Sequence, residues 1–249
     1  MRTFILMWNP DISAMKMLEF EKCIKSPSST LTWNVWDHEL VDYEDRFYMV
    51  RVGEGPTGIV MSGEFYGKTE KGEDWSGKGR ETYYAELEIE SIFHPECEPI
   101  ITTGRLQEEI PDFDWTGGHS GRVLTDEQAE KLEVLFMEFV LQRYATIGHA
   151  DEWGYIYTPS AYISPNVFEP SDCLLKYLRR TRGESCVLCG YNYQEKFGAD
   201  NPYHNDYILI GEPLKGLHLS NFHCLCPSCE RMEEEIELLI KSINSKVAP

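Results

Sequence analysis

Long apolar runs are missing from this chain of 249 residues. No stretch approaches the roughly 18 apolar residues that a membrane-spanning helix needs, so no segment reads as one. The opening "RTFILMW" is short and is stopped by Asn9-Pro10, which makes it a poor secretory leader. Positive charge is scarce as well: 23 Lys and Arg face 42 Asp and Glu, a formal net of −19. The deficit is concentrated early. Residues 1–170 hold 14 Lys and Arg against 31 Asp and Glu, and residues 171–249 hold 9 against 11. Such an acidic N-terminal part cannot hold nucleic acid by diffuse attraction to phosphates, the interaction that supplies most non-specific affinity. Contact with DNA or RNA would need a local basic patch or a pocket for a single base. Repeats of about 20–50 residues and low-complexity tracts are also absent, which excludes a solenoid array. Cysteines number only 8, and four of them form two C-x-x-C pairs. In a reducing compartment that arrangement favours a metal over disulfides, and the chain reads as soluble and cytoplasmic.

What is present is a globular composition, with 42% apolar and 12% aromatic residues. The chain divides into a domain at 1–150, an ordered, aromatic-rich connector at 151–175 and a smaller module at 176–249. In the first part, short β-rich runs alternate with Gly-rich turns. "RTFILMW" reads as an opening strand, and a helix is expected over Ser13–Ile24. "DRFYMVRVG" and "TGIVMSGEFYG" read as two strands around the turn "EGP". "ETYYAELEIESIF" alternates Tyr84, Glu86 and Glu88 with Ala85, Leu87 and Ile89, the period of a strand. Turns at this spacing predict a small barrel or a curled sheet. One long helix is expected after Thr125, whose pairing with Gln128 three residues on is a capping box, and Gly148 ends it.

Two Gly-rich loops echo one another. "EDWSGKGR" and "DFDWTGGHSGR" share Asp-Trp-Ser/Thr-Gly, at Asp74–Trp75 and Asp114–Trp115. A large ring in such a loop either plugs the end of a barrel or lines a ligand pocket. The order of features over residues 1–145 resembles the EVE-like members of the PUA superfold. The matching segments are the strand ending "WNP", then "WNVWDHELVDYEDRFYMVRVGEGPTGIVMSGEF", and the late "DWTGGHSGRVLTDEQAEKLE". The resemblance implies an α+β domain, a compact β-barrel with flanking helices, and the holding of a modified or flipped base in an aromatic cage. Trp33, Trp36, Trp75 and Trp115 are the candidate walls, and Asp74 or Asp114 would accept a hydrogen bond from an exocyclic amino group. Stacking of this kind needs no basic surface.

The C-terminal part carries a sharper signal. Cys186-x-x-Cys189 and Cys226-x-x-Cys229 can point four thiolates at one place and close a tetrahedral zinc site. Cys224 is an alternative to Cys226, which is preferred because it completes the knuckle spacing with Cys229. The stretch from Arg179 to Glu235 resembles the McrA-type branch of the HNH nucleases through "CVLCGYNYQEKFG", Pro213-Leu214 and "LSNFHCLCPSCERM". That implies a small zinc-bound ββα module whose helix starts near Pro227. The family's histidines are missing. Gly211 and Glu212 stand where the general base belongs, Glu230 replaces the histidine after the last cysteine, and of the signature positions only Asn221 survives. Hydrolysis of a phosphodiester needs a base to activate water and ligands for a divalent cation. His204, His218 and His223 lie nearby but off the motif. Upstream, "KYLRRTR" offers Lys176, Arg179, Arg180 and Arg182 as phosphate contacts.

Three functional readings follow from the sequence. The first is a nucleic-acid-associated protein that reads a modified base in DNA or RNA and carries a catalytically silent zinc module. The second is an active modification-dependent endonuclease with a shifted metal site. The third is an acidic protein-interaction module, or a DNA mimic with a basic protein partner.

Overall fold

The computed structural model describes residues 1–25, 31–75 and 79–147 and, towards the C-terminus, 163–164, 167–168, 177, 181, 185–192, 195–196, 208–210, 223–226, 228–229 and 232. The chain forms two compact units. One comprises Met1–Phe139 with Ala150–Pro159, and the other Val140–His149 with Ser160–Pro249. No helix among the described residues is long and apolar enough to cross a membrane.

The first unit is built on a mixed sheet. Its elements are β1 (Thr3–Trp8), α1 (Met17–Lys25), β2 (Leu31–Asn34), a 3₁₀ turn at His38–Leu40, β3 (Arg46–Arg51), β4 (Gly58–Phe65), β5 (Glu70–Glu73), β6 (Glu81–Ile92), α2 (Thr103–Glu109), β7 (Arg122–Val123) and the start of α3 (Asp126–Ile147). The strand order is β2-β6-β4-β3-β1-β7, with β5 on β6. β1 and β3 are parallel, in register from Thr3 against Arg46 to Trp8 against Arg51. A parallel pair requires a crossover, and α1 and β2 lie within it. All six residues of β1 are buried, which explains the uninterrupted apolar run from Phe4 to Trp8.

Two irregularities bend the sheet. The register shifts between Met49 and Val50 on β3 and between Ser62 and Gly63 on β4. A bulge adds a residue to one strand and sharpens its local twist. At Gly63 a Cβ would run into the carbonyl of Glu88, so only glycine allows β6 to close on this point. The curl carries the two ends of the sheet together. Just beyond β2, the Trp36 amide donates to the Ser120 carbonyl at 2.8 Å and the Asp37 amide to that of Gly121 at 3.0 Å, just before β7. The expected barrel is thus a curled half-barrel, joined across its edges by backbone hydrogen bonds outside the named strands.

The inner face holds the main core. α1 covers it, with Phe20 stacked on Trp8 at 4.4 Å, and the Trp8 indole N–H donates to the Met15 carbonyl at 2.8 Å. α3 covers the opposite face, where Phe136 meets the edge of Tyr48 at 4.9 Å. Its capping box forms as the sequence predicts. The Gln128 amide donates to Thr125 Oγ1 at 3.3 Å and the Thr125 amide to Gln128 Oε1 at 3.1 Å. α1 begins at Met17, later than the expected Ser13.

The second unit's described residues include two short antiparallel pairs. β8 (Ile163–Ser164) pairs with β9 (Val167–Phe168), and β10 (Ile208–Ile210) with β11 (His223–Leu225). A tight turn at 185–192 and the residues around Cys226 and Cys229 supply its cysteine cluster.

Candidate functional site

Two sites emerge, one in each unit. The first lies where the ends of the curled sheet meet. Ser120 organises it. Its Oγ accepts the Met7 amide at 3.0 Å and the Trp33 indole N–H at 2.8 Å, and its carbonyl accepts the Trp36 amide. Gly121 extends the join, with its amide donating to the Ile5 carbonyl at 2.8 Å. It has φ +80°, and a Cβ there would run into the Val35 backbone. Next to it, the His119 imidazole lies flat on the Trp36 indole, with centroids 3.6 Å apart and planes 5° apart. Trp36 nevertheless remains 58% exposed. Two residues on, His38 stacks on Tyr83 at 3.6 Å.

The four tryptophans expected as pocket walls have different fates. Trp33 is buried and tied to Ser120. Trp115 has no exposed surface. Its indole N–H donates to the Ile110 carbonyl at 3.0 Å and its ring packs on Phe113 at 4.6 Å, so it belongs to the core and not to an open pocket. Trp36 and Trp75 are the two that reach solvent among these four. The Trp75 amide is held by the Tyr84 hydroxyl at 3.0 Å, and Tyr84 opposes Asn34 of β2 in the sheet. Among the described residues, no ring contact joins Trp75 to Trp36 or Trp33.

The two expected acceptors also differ in surroundings. Asp114 Oδ1 accepts the Thr116 amide and hydroxyl, each at 3.0 Å, and the Gly117 amide at 3.2 Å. The two Thr116 donors lead in holding its carboxyl below the usual aspartate range. Asp114 thus shapes the loop that carries His119 and Ser120. Arg122 latches the same loop, lying over the Phe113 ring at 4.3 Å and donating to the carbonyls of Asp114 and Gly117. The Asp74 amide donates to the Arg80 carbonyl at 2.7 Å within the β5–β6 connection. His119 was not legible in the sequence. Its contact with Trp36 exists only because the sheet curls until residues 36 and 119, distant in the chain, become neighbours.

The second site is the cysteine cluster. The Sγ atoms of Cys186, Cys189, Cys226 and Cys229 all lie within 4.8 Å of one another. The first pair sits on a tight turn in which the Gly190 amide donates to the Cys186 carbonyl and the Cys186 amide to the Tyr191 carbonyl, both at 2.8 Å. Gly190 closes that turn at φ +70°. In the second pair the Cys229 amide donates to the Cys226 carbonyl at 3.0 Å. Cys226 converges on the cluster, while Cys224 lies in β11 opposite Leu209. Between the pairs, Cys189 Sγ and Cys226 Sγ are 3.7 Å apart. A tetrahedron with metal–sulfur bonds near 2.3 Å has edges of about 3.8 Å, so the spacing fits a thiolate-bound ion.

The chemistry of the thiols agrees. Burial opposes ionisation of Cys186, but the amides of Cys226, Cys189 and Leu188 outweigh it and bring the thiol down to about 6. Hydrogen bonds with Cys189 and Cys226, and then burial, push Cys229 up to about 12. A cation bound among the four sulfurs would favour the thiolate form of all of them. Four cysteines placed in this way can bind a metal ion.

The expected phosphate contacts Lys176, Arg179, Arg180 and Arg182 lie outside the described residues, as do His204, Gly211, Glu212, His218, Asn221 and Glu230.

No protein-family model matches the chain, and no curated protein matches it. Several solved structures are similar to it. One is a protein from Pseudomonas syringae, 12% identical over 53% of this chain and 98% of its own, with a TM-score of 0.38. Another is the YTH domain-containing protein mmi1 in complex with RNA, 10% identical over 57% of this chain and 85% of its own, with a TM-score of 0.38. A third is human THYN1 in complex with 5-methylcytosine-containing DNA, 9% identical over 53% of this chain and 95% of its own, with a TM-score of 0.35.

Proposed function

We propose that the protein is a nucleic-acid-associated binding protein. In this reading the first unit takes a single unstacked base against Trp36. The second unit is a zinc-held, HNH-like module that does not cut. The observation that carries the reading is the Trp36 ring, exposed to solvent yet fixed in a hydrogen-bonded frame. A base can stack on such a face without help from a basic surface, and stacking contributes roughly 1–3 kcal/mol per base. The sequence resemblance of residues 1–145 to the EVE-like domains supports the same role. For the second unit, a cluster that among the described residues is made of four cysteines alone makes zinc the fitting ion. Gly211, Glu212 and Glu230 at the nuclease positions leave it without a positioned base.

The test is a panel of modified and unmodified DNA and RNA, assayed with the full chain for binding and for cutting in Mg²⁺, Mn²⁺ or Ni²⁺. Binding is expected to follow base identity more than strand length and to quench tryptophan emission, with no cleavage. Cleavage lost on His218→Ala or His223→Ala would select a nuclease with a shifted metal site. Failure to bind any nucleic acid, with capture of a basic protein, would select the acidic interaction module.

A further inference from the structure

We infer that the open face of Trp36 selects a cationic base, one that carries a formal positive charge through N-methylation, over its neutral parent. The inference rests on the base-reading role proposed above and names the ligand class of that same site.

The first step is geometric. His119 covers one face of Trp36 at van der Waals distance, 3.6 Å with planes 5° apart. An indole covered on one face still shows 58% of its surface only if the opposite face is open. A flat ligand therefore stacks on that opposite face, in the order ligand, Trp36, His119, and displaces nothing. His119 is then a positioning residue, because it touches the tryptophan and not the ligand. Its backbone is held on both sides, by the Asp114 turn and the Arg122 latch before it and by the Ser120 and Gly121 hydrogen bonds after it. A ring fixed in this way loses little freedom on binding.

The second step is electrostatic. Residues 1–139 carry 13 Lys and Arg against 28 Asp and Glu, a net of −15. Seven of the described cations pair with carboxylates, Arg46 among them. Arg2 pairs with Asp45, Lys22 with Glu19, Arg51 with Glu96, Lys71 with Glu81, Arg105 with Glu109 and Lys131 with Glu127. Arg46 and Arg122 are turned to the protein's own carboxylates and carbonyls. Asp37 follows Trp36, with its carboxylate accepting the Val123 amide at 2.8 Å, and Glu39 lies three residues beyond Trp36. The surrounding field therefore opposes an anionic ligand and attracts a cation. The exposed ring adds to this selectivity, since the face of tryptophan is the best of the aromatic faces for a cation. A neutral base gains only the stacking. A charged base gains stacking, the attraction of its charge to the ring, and the field of the domain.

The experiment titrates the full chain with 7-methylguanosine and guanosine, and with 1-methyladenosine and adenosine. It follows tryptophan emission at low and high salt. Each methylated, charged nucleoside is expected to bind about tenfold tighter than its parent, the factor that a cation–π contact plus the local field would supply. The preference should shrink as salt rises. Trp36→Ala is expected to abolish the response while leaving near-ultraviolet circular dichroism of the buried aromatics unchanged, because the ring is a surface group. His119→Ala should weaken binding several-fold and His119→Phe should restore it. Equal binding of charged and neutral nucleosides would overturn the inference and leave base reading standing. Retention of the preference in Trp36→Ala would overturn it too, as would a trimethyllysine peptide that binds as tightly as the charged nucleosides. Failure of every nucleoside and oligonucleotide to bind would remove the base-reading role itself.

Discussion

Arg46 shows how one residue can commit a whole face of the sheet. Its guanidinium is 2% exposed and lies 3.2 Å from Glu90, 3.7 Å from Glu64 and 3.8 Å from Glu133, with its carbon 5.6 Å from the Tyr48 ring centre. The three carboxylates come from β4, β6 and α3, so the cation ties the helix to the sheet. Taking charges out of water is costly, and removing one member of such a group leaves the others uncompensated at a cost of about 3–5 kcal/mol. Arg46→Met is therefore expected to lower stability by about that amount in urea unfolding at neutral pH. A loss below roughly 1 kcal/mol, the scale of a surface pair, would show that the guanidinium does not neutralise the carboxylates. The sequence gives no hint of this group, since "EDRF" reads as an ordinary charged strand start. The same blindness covers the tryptophans. Two nearly identical Asp-Trp-Ser/Thr-Gly segments put Trp75 in solvent and Trp115 in the core. What separates them is the packing beneath, Phe113 and the Ile110 carbonyl in one case and an edge hairpin in the other.

At the scale of elements, the join between the ends of β2 and β7 is the feature on which the Trp36 face depends. Gly121 sits in it with φ +80°, where an added Cβ would collide with the Val35 α-carbon. Any side chain there is strained by the backbone angle, at a cost of about 1–3 kcal/mol, and must also push β2 away. Gly104, in α2, is the contrast. Its added Cβ would meet only Thr102 Oγ1, at an ordinary 3.8 Å. Gly121→Ala is expected to destabilise and to disturb the His119–Trp36 stack, seen as a change in the ring-current shift of the imidazole protons. Gly104→Ala should leave the stack alone and stabilise by up to about 1 kcal/mol, the helix preference of alanine over glycine. A Gly121→Ala protein with unchanged stability and imidazole shifts would mean that the join is loose. The elements that the sequence announces are those with a long pattern: β1, β3, β4, β6 and the capped α3. β5 leaves no signature in the sequence because "EKGE" is polar and lies on β6 at the sheet's margin, where no alternation is required. α2 has only 7 residues and buries Leu106 alone, too little for a helical period to show, although Thr102 caps it by accepting the Arg105 amide at 3.2 Å. The curl was legible only as a class of fold. Its cause is two bulges and Gly63, and these depend on which strands become neighbours.

At the scale of the whole molecule, the described residues of the two units differ in what can hold each unit folded. The first has a continuous apolar core around Phe4, Trp8, Phe20, Phe47 and Phe65. Burying each such ring contributes on the order of 1.5–3 kcal/mol. In the second, the described buried cluster is Cys186, Cys226 and Cys229 with Tyr191 against it, and Lys196 reaches over the Tyr191 ring at 5.3 Å. Four thiolates this close would repel one another, and a cation between them removes that repulsion. With an ion, the binding free energy becomes folding free energy for that unit. Metal analysis of protein purified without added zinc should find about one zinc per chain, held by Cys186, Cys189, Cys226 and Cys229. Acid should release it, because protons compete for thiolates and metal affinity falls as pH falls. Stripping the metal with a chelator is expected to abolish amide protection at 185–192, 208–210 and 223–226 while β1, β3 and β4 keep theirs, since exchange reports each cooperative unit separately. Cys186→Ser with Cys229→Ser should reproduce the same pattern without chelator. Protection that survives both treatments would show that the second unit folds without metal, and the cysteine cluster would then be packing and not a site.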